Sequence, residues 1–341
     1  MPLMKPPRWV LAVAGFAVLA LAADVGVFLL ARGGGSADAA NARDHIAVID
    51  PKTQTVVRQV EVGHSPTAVV TGYGGVWVLN KGDSTLSHID TRTRKVVRTI
   101  YPDATISDIT TGAGGLWFAG RPRGRVQRPL EIAELERIDP ATGVVNRRFD
   151  THTGAAVVAA GGGALWSTGY LGNHVRGEAR SDARTGAMSQ IDIGIYGDLL
   201  TADDNAVYWV ASAGDRIARV STKTGAMTAS LPLATDASLA AGLVPPNPTD
   251  VAVGGGSVWI STTGGTVIRV DPKLRGISAS IPACRNALAL DYGEGAVWVA
   301  CGDGSVVRVD PATDQPGPPI TVGGLPRGIA AGDGAVWVTL N

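Results

Sequence analysis

Three sets of side chains in this sequence have the types and spacing to do chemistry. The first is a run of guanidinium groups, Arg121, Arg123, Arg125 and Arg128, within eight residues, followed by His174, Arg176 and Arg180. Their forked N–H donors match carboxylate and phosphate oxygens, so the run implies recognition of an anion. A solvated basic loop, or one paired with Glu131 and Glu134, is the plainer alternative. The second set is His64, Asp108, His152, Tyr196, Asn247, Arg285 and Arg327, polar residues spread along the chain. Gathered into one ring they would hold a small polar ligand, although they read equally as ordinary loop residues. The third is Cys284 and Cys301, the only cysteines. Outside the cytoplasm such a pair closes a disulfide, with two free thiols as the alternative. Zinc is disfavoured because no histidine or further cysteine lies nearby in sequence.

Catalytic machinery is harder to find. The five histidines are His45, His64, His88, His152 and His174, and none follows. Neither a phosphate-cradling loop, an HExxH helix nor a Ser-His-Asp arrangement is legible. We assign no catalytic residue, no metal site and no cofactor from the sequence.

The elements that must position these residues come from a repeat. AGDGAVWVTLN closes the chain, and its core recurs as GYGGVWVLN (72–80), GAGGLWFAG (112–120), GGGALWSTG (161–169), DDNAVYWVAS (203–212), GGGSVWIST (254–262) and GEGAVWVAC (293–301). The tryptophans of these units are Trp77, Trp117, Trp166, Trp209, Trp259, Trp298 and Trp337, about forty residues apart with insertions in some copies, and Trp9 stands outside the series. A second motif keeps step: AVIDPKT (47–53), SHIDTRT (87–93), ERIDPAT (136–142), RSDARTG (180–186), ARVSTKT (218–224), IRVDPKL (268–274) and VRVDPAT (307–313). Asp then Pro suits a tight turn, so these aspartates are expected to accept backbone hydrogen bonds and not to bind metal.

Each unit reads as four strands, a to d; in the sixth copy they are residues 286–291, 296–301, 305–310 and 319–323. Seven such units are the signature of an all-β, seven-bladed β-propeller, here expected over residues 45–341. The tryptophans then pack between blades and form no ligand cage. The last unit supplies only strands a (327–331) and b (335–340), while HIAVID (45–50) and TVVRQVEVG (55–63) read as an orphan c and d. Joined, they make the seventh blade, and the ring closes without an exposed edge.

The residues carrying this pattern, GxGAVWV and IDPxT, resemble the bacterial YVTN-type propellers and the related streptogramin (virginiamycin B) lyases over about residues 45–341. These are repeat motifs, specific for fold and weak for function. The resemblance admits lyases, DNA-binding periplasmic propellers and sensor domains. A lyase of this kind implies a His and Glu pair late in the ring. No HxE-type pair stands there, and Glu294 falls in a turn on the other face.

In such a propeller the d–a and b–c connections share one face and the a–b and c–d turns the other. All long insertions, residues 120–131, 169–181 and 234–248, fall on the first, the decorated face, which is the expected site of function. Both cysteines are expected at that end too.

Ahead of the repeats, residues 1–8 form a short basic leader, and residues 9–31 are apolar apart from Asp24. The length suits a transmembrane anchor. Asp24 would cost about 2.5–3.5 kcal/mol in mid-membrane, and Ala20-Leu21-Ala22 offers a signal-peptidase site, so secretion after cleavage is the alternative. Lys5 and Arg8 place the N-terminus in the cytoplasm, the propeller outside, and residues 32–44 as a flexible linker. Formal net charge is zero, which removes bulk attraction to nucleic acid. The reading is a membrane-tethered, extracytoplasmic, non-catalytic binding, sensor or scaffold module that presents its decorated face to a protein, glycan or small anionic ligand. A streptogramin-lyase-like enzyme and a DNA-binding periplasmic propeller are the alternatives.

Overall fold

The structure is a computed structural model describing residues 44–124, 133–151, 154–170, 176–195, 197–211, 216–233 and 247–341. The expected anchor over residues 9–31, with the leader and most of the linker, lies outside the described residues.

Seven antiparallel sheets succeed one another. Blade I comprises strands a Pro66–Gly72, b Gly75–Asn80, c Thr85–Asp90 and d Lys95–Ile100; blade II, Ala104–Gly112, Gly115–Pro122, Glu134–Ile138 and Val145–Asp150. Blade III is Gly154–Gly161, Ala164–Tyr170, Arg176–Asp182 and Met188–Ile191; blade IV, Gly197–Ala202, Ala206–Ala211, Arg216–Ser221 and Met227–Pro232. Blade V is Pro248–Gly254, Ser257–Thr262, Thr266–Val270 and Ile277–Pro282. Blade VI has a, b and c at Ala287–Gly293, Ala296–Cys301 and Ser305–Asp310. Its d strand, expected over 319–323, is instead two short pieces, Gln315–Pro316 and Ile320–Thr321. Pro318 and Pro319 interrupt it, since neither can donate to the ladder. Blade VII closes the ring as expected: a Pro326–Gly332 and b Ala335–Leu340 join c His45–Asp50 and d Thr55–Glu61, with Trp337 opposite Val48.

The local reasons are turn chemistry and β-branched content. Six a–b hairpins turn on two residues; in Tyr73-Gly74, Ala113-Gly114, Glu294-Gly295 and Asp333-Gly334 both have positive φ, the geometry that matches strand twist. The c–d turns behave as their aspartates predict. Asp50 Oδ1 accepts from Lys52 and Thr53 N–H, Asp139 Oδ1 from Ala141 and Thr142, and Asp310 Oδ1 from Ala312 and Thr313. Those bonds favour the carboxylate, so the Asp50 and Asp310 carboxyls are held below their ordinary value, chiefly by Thr53 and Ala312 respectively.

The core lies in layers between blades. Trp77 packs on Ile106, Ile109 and Phe118 of blade II, and Trp298 on Val336 and Val338 of blade VII. All seven tryptophans of the series are fully buried. One is not where the repeat predicts. In blade IV, Tyr208 sits opposite Arg219, as Trp259 sits opposite Arg269 and Trp298 opposite Arg308. Tyr208 therefore holds the tryptophan position, and its hydroxyl donates to Pro272 O of blade V at 2.9 Å. Trp209 faces the other way, edge-on to Trp166 of blade III at 5.9 Å, and its indole N–H has no partner among the described residues.

Candidate functional site

The plain face is engaged in holding the ring together. Its c–d turns receive side chains from the preceding blade. Arg98 Nη1 donates to Ala141 O, and Arg269 Nη1 donates to Pro311 O and Asp314 Oδ1. Arg147 Nη1 likewise donates to Arg184 O. The a–b turns do the same, with Glu294 Oε1 accepting from Gly334 N at 2.9 Å.

On the decorated face backbone bonds fix the mouth residues, and several side chains stand exposed. His64 O accepts from Gly82 N, and Asn247 O accepts from Thr263 N. Both place mouth residues against a b–c turn of their own blade. The His64 ring is 74% exposed and pairs with Asp44 at 2.7 Å. Arg327 is exposed, its Nε donating to Asn341 Oδ1 at 2.9 Å. Arg285 is exposed beside Cys284, which the structure joins to Cys301 with a Cα–Cα distance of 6.3 Å. The disulfide therefore fixes the connection that presents Arg285.

Of the arginine run, Arg121 and Arg123 are described and exposed. Arg121 lies on the end of strand b opposite Thr105, so part of the expected insertion 120–131 is an extension of the sheet. Arg123 Nη2 donates to Asp83 O of blade I at 3.3 Å. Likewise, much of 169–181 is strand, with Tyr170 paired to Arg176. Arg125, Arg128, His152, His174 and Tyr196 lie outside the described residues, as does the side chain of Arg176. Among the described residues, no carboxylate lies within ion-pair distance of Arg121, Arg123, Arg285 or Arg327. Tyr101, which sequence reasoning passed over, projects from the same face of blade II and is 78% exposed.

Asp108 is not at the mouth. Every strand a carries a β-bulge near its start, and Asp108 and Asp250 both follow it directly, inside the ring. Asp108 Oδ2 accepts from Val158 N of blade III at 2.9 Å, and Asp250 Oδ2 from Leu290 N of blade VI at 3.0 Å. Asp291, deeper along its strand, accepts from Ala331 N of blade VII at 2.8 Å. Each carboxyl thus bridges two blades while remaining partly open to the channel. Burial pushes Asp108 and Asp291 up to about 6 and Asp250 up to about 7, with Asp291 and Asp108 adding repulsion at Asp250. The legible signal was a lone Asp inside an otherwise uncharged a strand.

All seven a strands frame an axial cavity of about 300 Å³. Its lining comes from the middle and later parts of those strands, away from the decorated mouth.

Solved structures share this shape. Hydrazine synthase from Kuenenia stuttgartiensis superposes with a TM-score of 0.61 at 17% identity, covering 79% of this chain and 90% of that one. The Cps50 (Swd1) β-propeller domain from Myceliophteria thermophila gives 0.61 at 10% identity, covering 84% and 98%. At such identities the likeness is one of fold. No protein-family profile and no curated protein sequence matches the chain.

Proposed function

We propose that this protein is a non-catalytic binding module, of sensor or scaffold type, whose decorated face takes an anionic partner. The observation that carries the reading is the asymmetry of the two faces. Turns on the plain face are tied to their neighbours, whereas Arg121, Arg285 and Tyr101 stand exposed on the other. Exposed guanidinium groups and an exposed aromatic on one face suit carboxylate, phosphate or sulfate groups on a protein, glycan or small ligand. The apolar stretch 9–31 supports tethering to a membrane with the propeller outside, where a Cys284–Cys301 disulfide persists. The YVTN and streptogramin-lyase resemblance adds fold-level support for a free-standing propeller and assigns no chemistry.

The test compares the full-length chain with a variant carrying Arg121, Arg123, Arg125 and Arg128 all changed to Ala, each immobilised in envelope extract at low and high salt. The reading requires a partner held by the wild type, released by salt and absent from the variant. Identical captured sets would refute it.

A further inference from the structure

We propose that the axial cavity binds a compact organic ammonium ion, with Asp291 as its counter-charge. This site is separate from the decorated face, and its argument does not rest on the reading above.

The cavity measures about 300 Å³, room for about ten waters. Its wall is mostly Val, Ala, Leu and Ile, interrupted by Thr71, Thr110, Thr111 and Thr201 and by one charged side chain, Asp291. Strand a is the inner edge of each sheet, so its inward N–H and C=O groups have no ladder partner and line the axis with further polarity. Asp291 is held in place: Oδ1 accepts from Tyr292 N at 2.8 Å and Oδ2 from Ala331 N at 2.8 Å. Two backbone bonds leave about half of a carboxylate's four acceptor positions for a ligand. Thr111 is fixed likewise, its hydroxyl donating to Thr71 O at 2.8 Å.

The charge of the site selects its ligand. Asp250 and Asp108 stand nearer the mouth of the same channel, so the axis repels anions. Among the described residues no three His, Cys, Asp or Glu side chains converge as a metal would need. A space of this size with one carboxylate, several hydroxyls and apolar walls instead fits a cation that carries its own N–H donors and a small carbon body.

Binding should be coupled to proton release. Burial holds the Asp291 carboxyl at about 6, so part of the population is protonated near neutrality. The neighbouring ionisable group is Asp250 from blade V, on which both Asp291 and Asp108 act, and Lys81 in turn acts on Asp108. From blade VII, Arg327 lies at the mouth, engaged with Asn341. An ammonium ligand favours the ionised form, and the proton leaves.

The experiment is calorimetric titration of the full-length protein with ethanolamine, against sodium chloride at equal ionic strength. The expected result is a Kd of about 1 mM at about pH 8, weakened at least about tenfold at about pH 5 and in Asp291→Asn. The arginine variant should bind as the wild type does. Absence of ethanolamine binding, an equal response to sodium, or undiminished affinity in a folded Asp291→Asn would overturn the proposal. Should that variant not fold, the wild type decides. Repeating its titration near pH 6 in two buffers of different ionisation enthalpy must show protons displaced, and none displaced would also overturn it.

Discussion

Replacing Asp250 with Asn should invert the ranking of wild type and variant between acid and mildly alkaline pH. In the fold its carboxyl is raised from 3.8 to about 7, by burial first and by Asp291 and Asp108 after that. The folded state therefore binds this proton more tightly than the unfolded chain does. Between those two values stability falls as pH rises, because the unfolded chain ionises first. At 1.36 kcal/mol per pH unit the full separation corresponds to about 4 kcal/mol. Asp250 is partly open to the channel, where water screens the charge, so about 2 kcal/mol is the expected magnitude. At about pH 4 little of that stability has yet been lost, and Asn is the less stable by about 1 kcal/mol through one poorer hydrogen bond to Leu290 or Val251 N–H. At about pH 8 the wild type bears the buried charge and Asn does not, so the variant should be the more stable by about 1 kcal/mol. Urea unfolding followed by fluorescence of the buried tryptophans measures both across this range. His88 slopes the opposite way, since burial lowers its pKa and its protonation destabilises the fold at acid pH. It is common to both proteins and cancels in the difference. The turn aspartates, held below 3.8, act only at lower pH. Parallel stability profiles would refute the reasoning, as would a wild type whose advantage grows with pH.

Three further substitutions test the frame. Changing Cys284 and Cys301 to Ser opens a closure across a sequence separation of 17, and should cost about 3 kcal/mol in denaturant unfolding with the propeller's circular dichroism retained. Trp209→Phe should cost about 1 kcal/mol less than Trp259→Phe, measured the same way. The Trp259 indole donates to Gly254 O at 3.0 Å, whereas the Trp209 N–H has no partner among the described residues to lose. Val48→Pro, in the strand that zips the chain's two ends between Arg58 and Trp337, should cost about 3 kcal/mol or more and broaden the unfolding transition. Thr55→Pro, at the first position of an outer strand, is its milder control.

Most of the ring was legible because each blade repeats the same local chemistry. Two-residue glycine turns, Asp at the c–d corner and a buried tryptophan recur at nearly constant spacing, so strands such as 45–50, 296–301 and 335–340 are found where the pattern places them. What misled was counting tryptophans without counting from the turn. In DDNAVYWVAS the hairpin fixes Ala206 opposite Asp203, and a tyrosine then arrives where other blades have tryptophan. The prolines that break the outer strand of blade VI were visible but outweighed by alternation. The bulge in every strand a was not visible, because an extra residue there leaves no mark in composition. Without it, Asp108 looked like a mouth residue when it is a channel residue.

That displacement changes which residues of this protein call for a functional account. An arginine on an exposed loop violates no rule of folding, and Arg121 or Arg285 could be replaced with little effect on stability. An aspartate in the innermost strand of a blade is different. Asp108 and Asp250 stand where other blades place glycine, alanine, valine or leucine, and Asp291 where they place valine, alanine or threonine, and burial pushes each toward its neutral form. The N–H groups they accept from Val158, Leu290 and Ala331 lie beside a water-accessible channel, so the bonds alone do not require a carboxyl. A ring built only for rigidity would be more stable near neutral pH with apolar residues there. Asp250→Val, which keeps volume close and removes both charge and acceptor, separates the two accounts. If the carboxyls serve only as bolts between blades, Val should destabilise at every pH. If they serve the channel, Val should stabilise the fold at about pH 8 by about 1–2 kcal/mol and lower the affinity of the axial cavity for a cation.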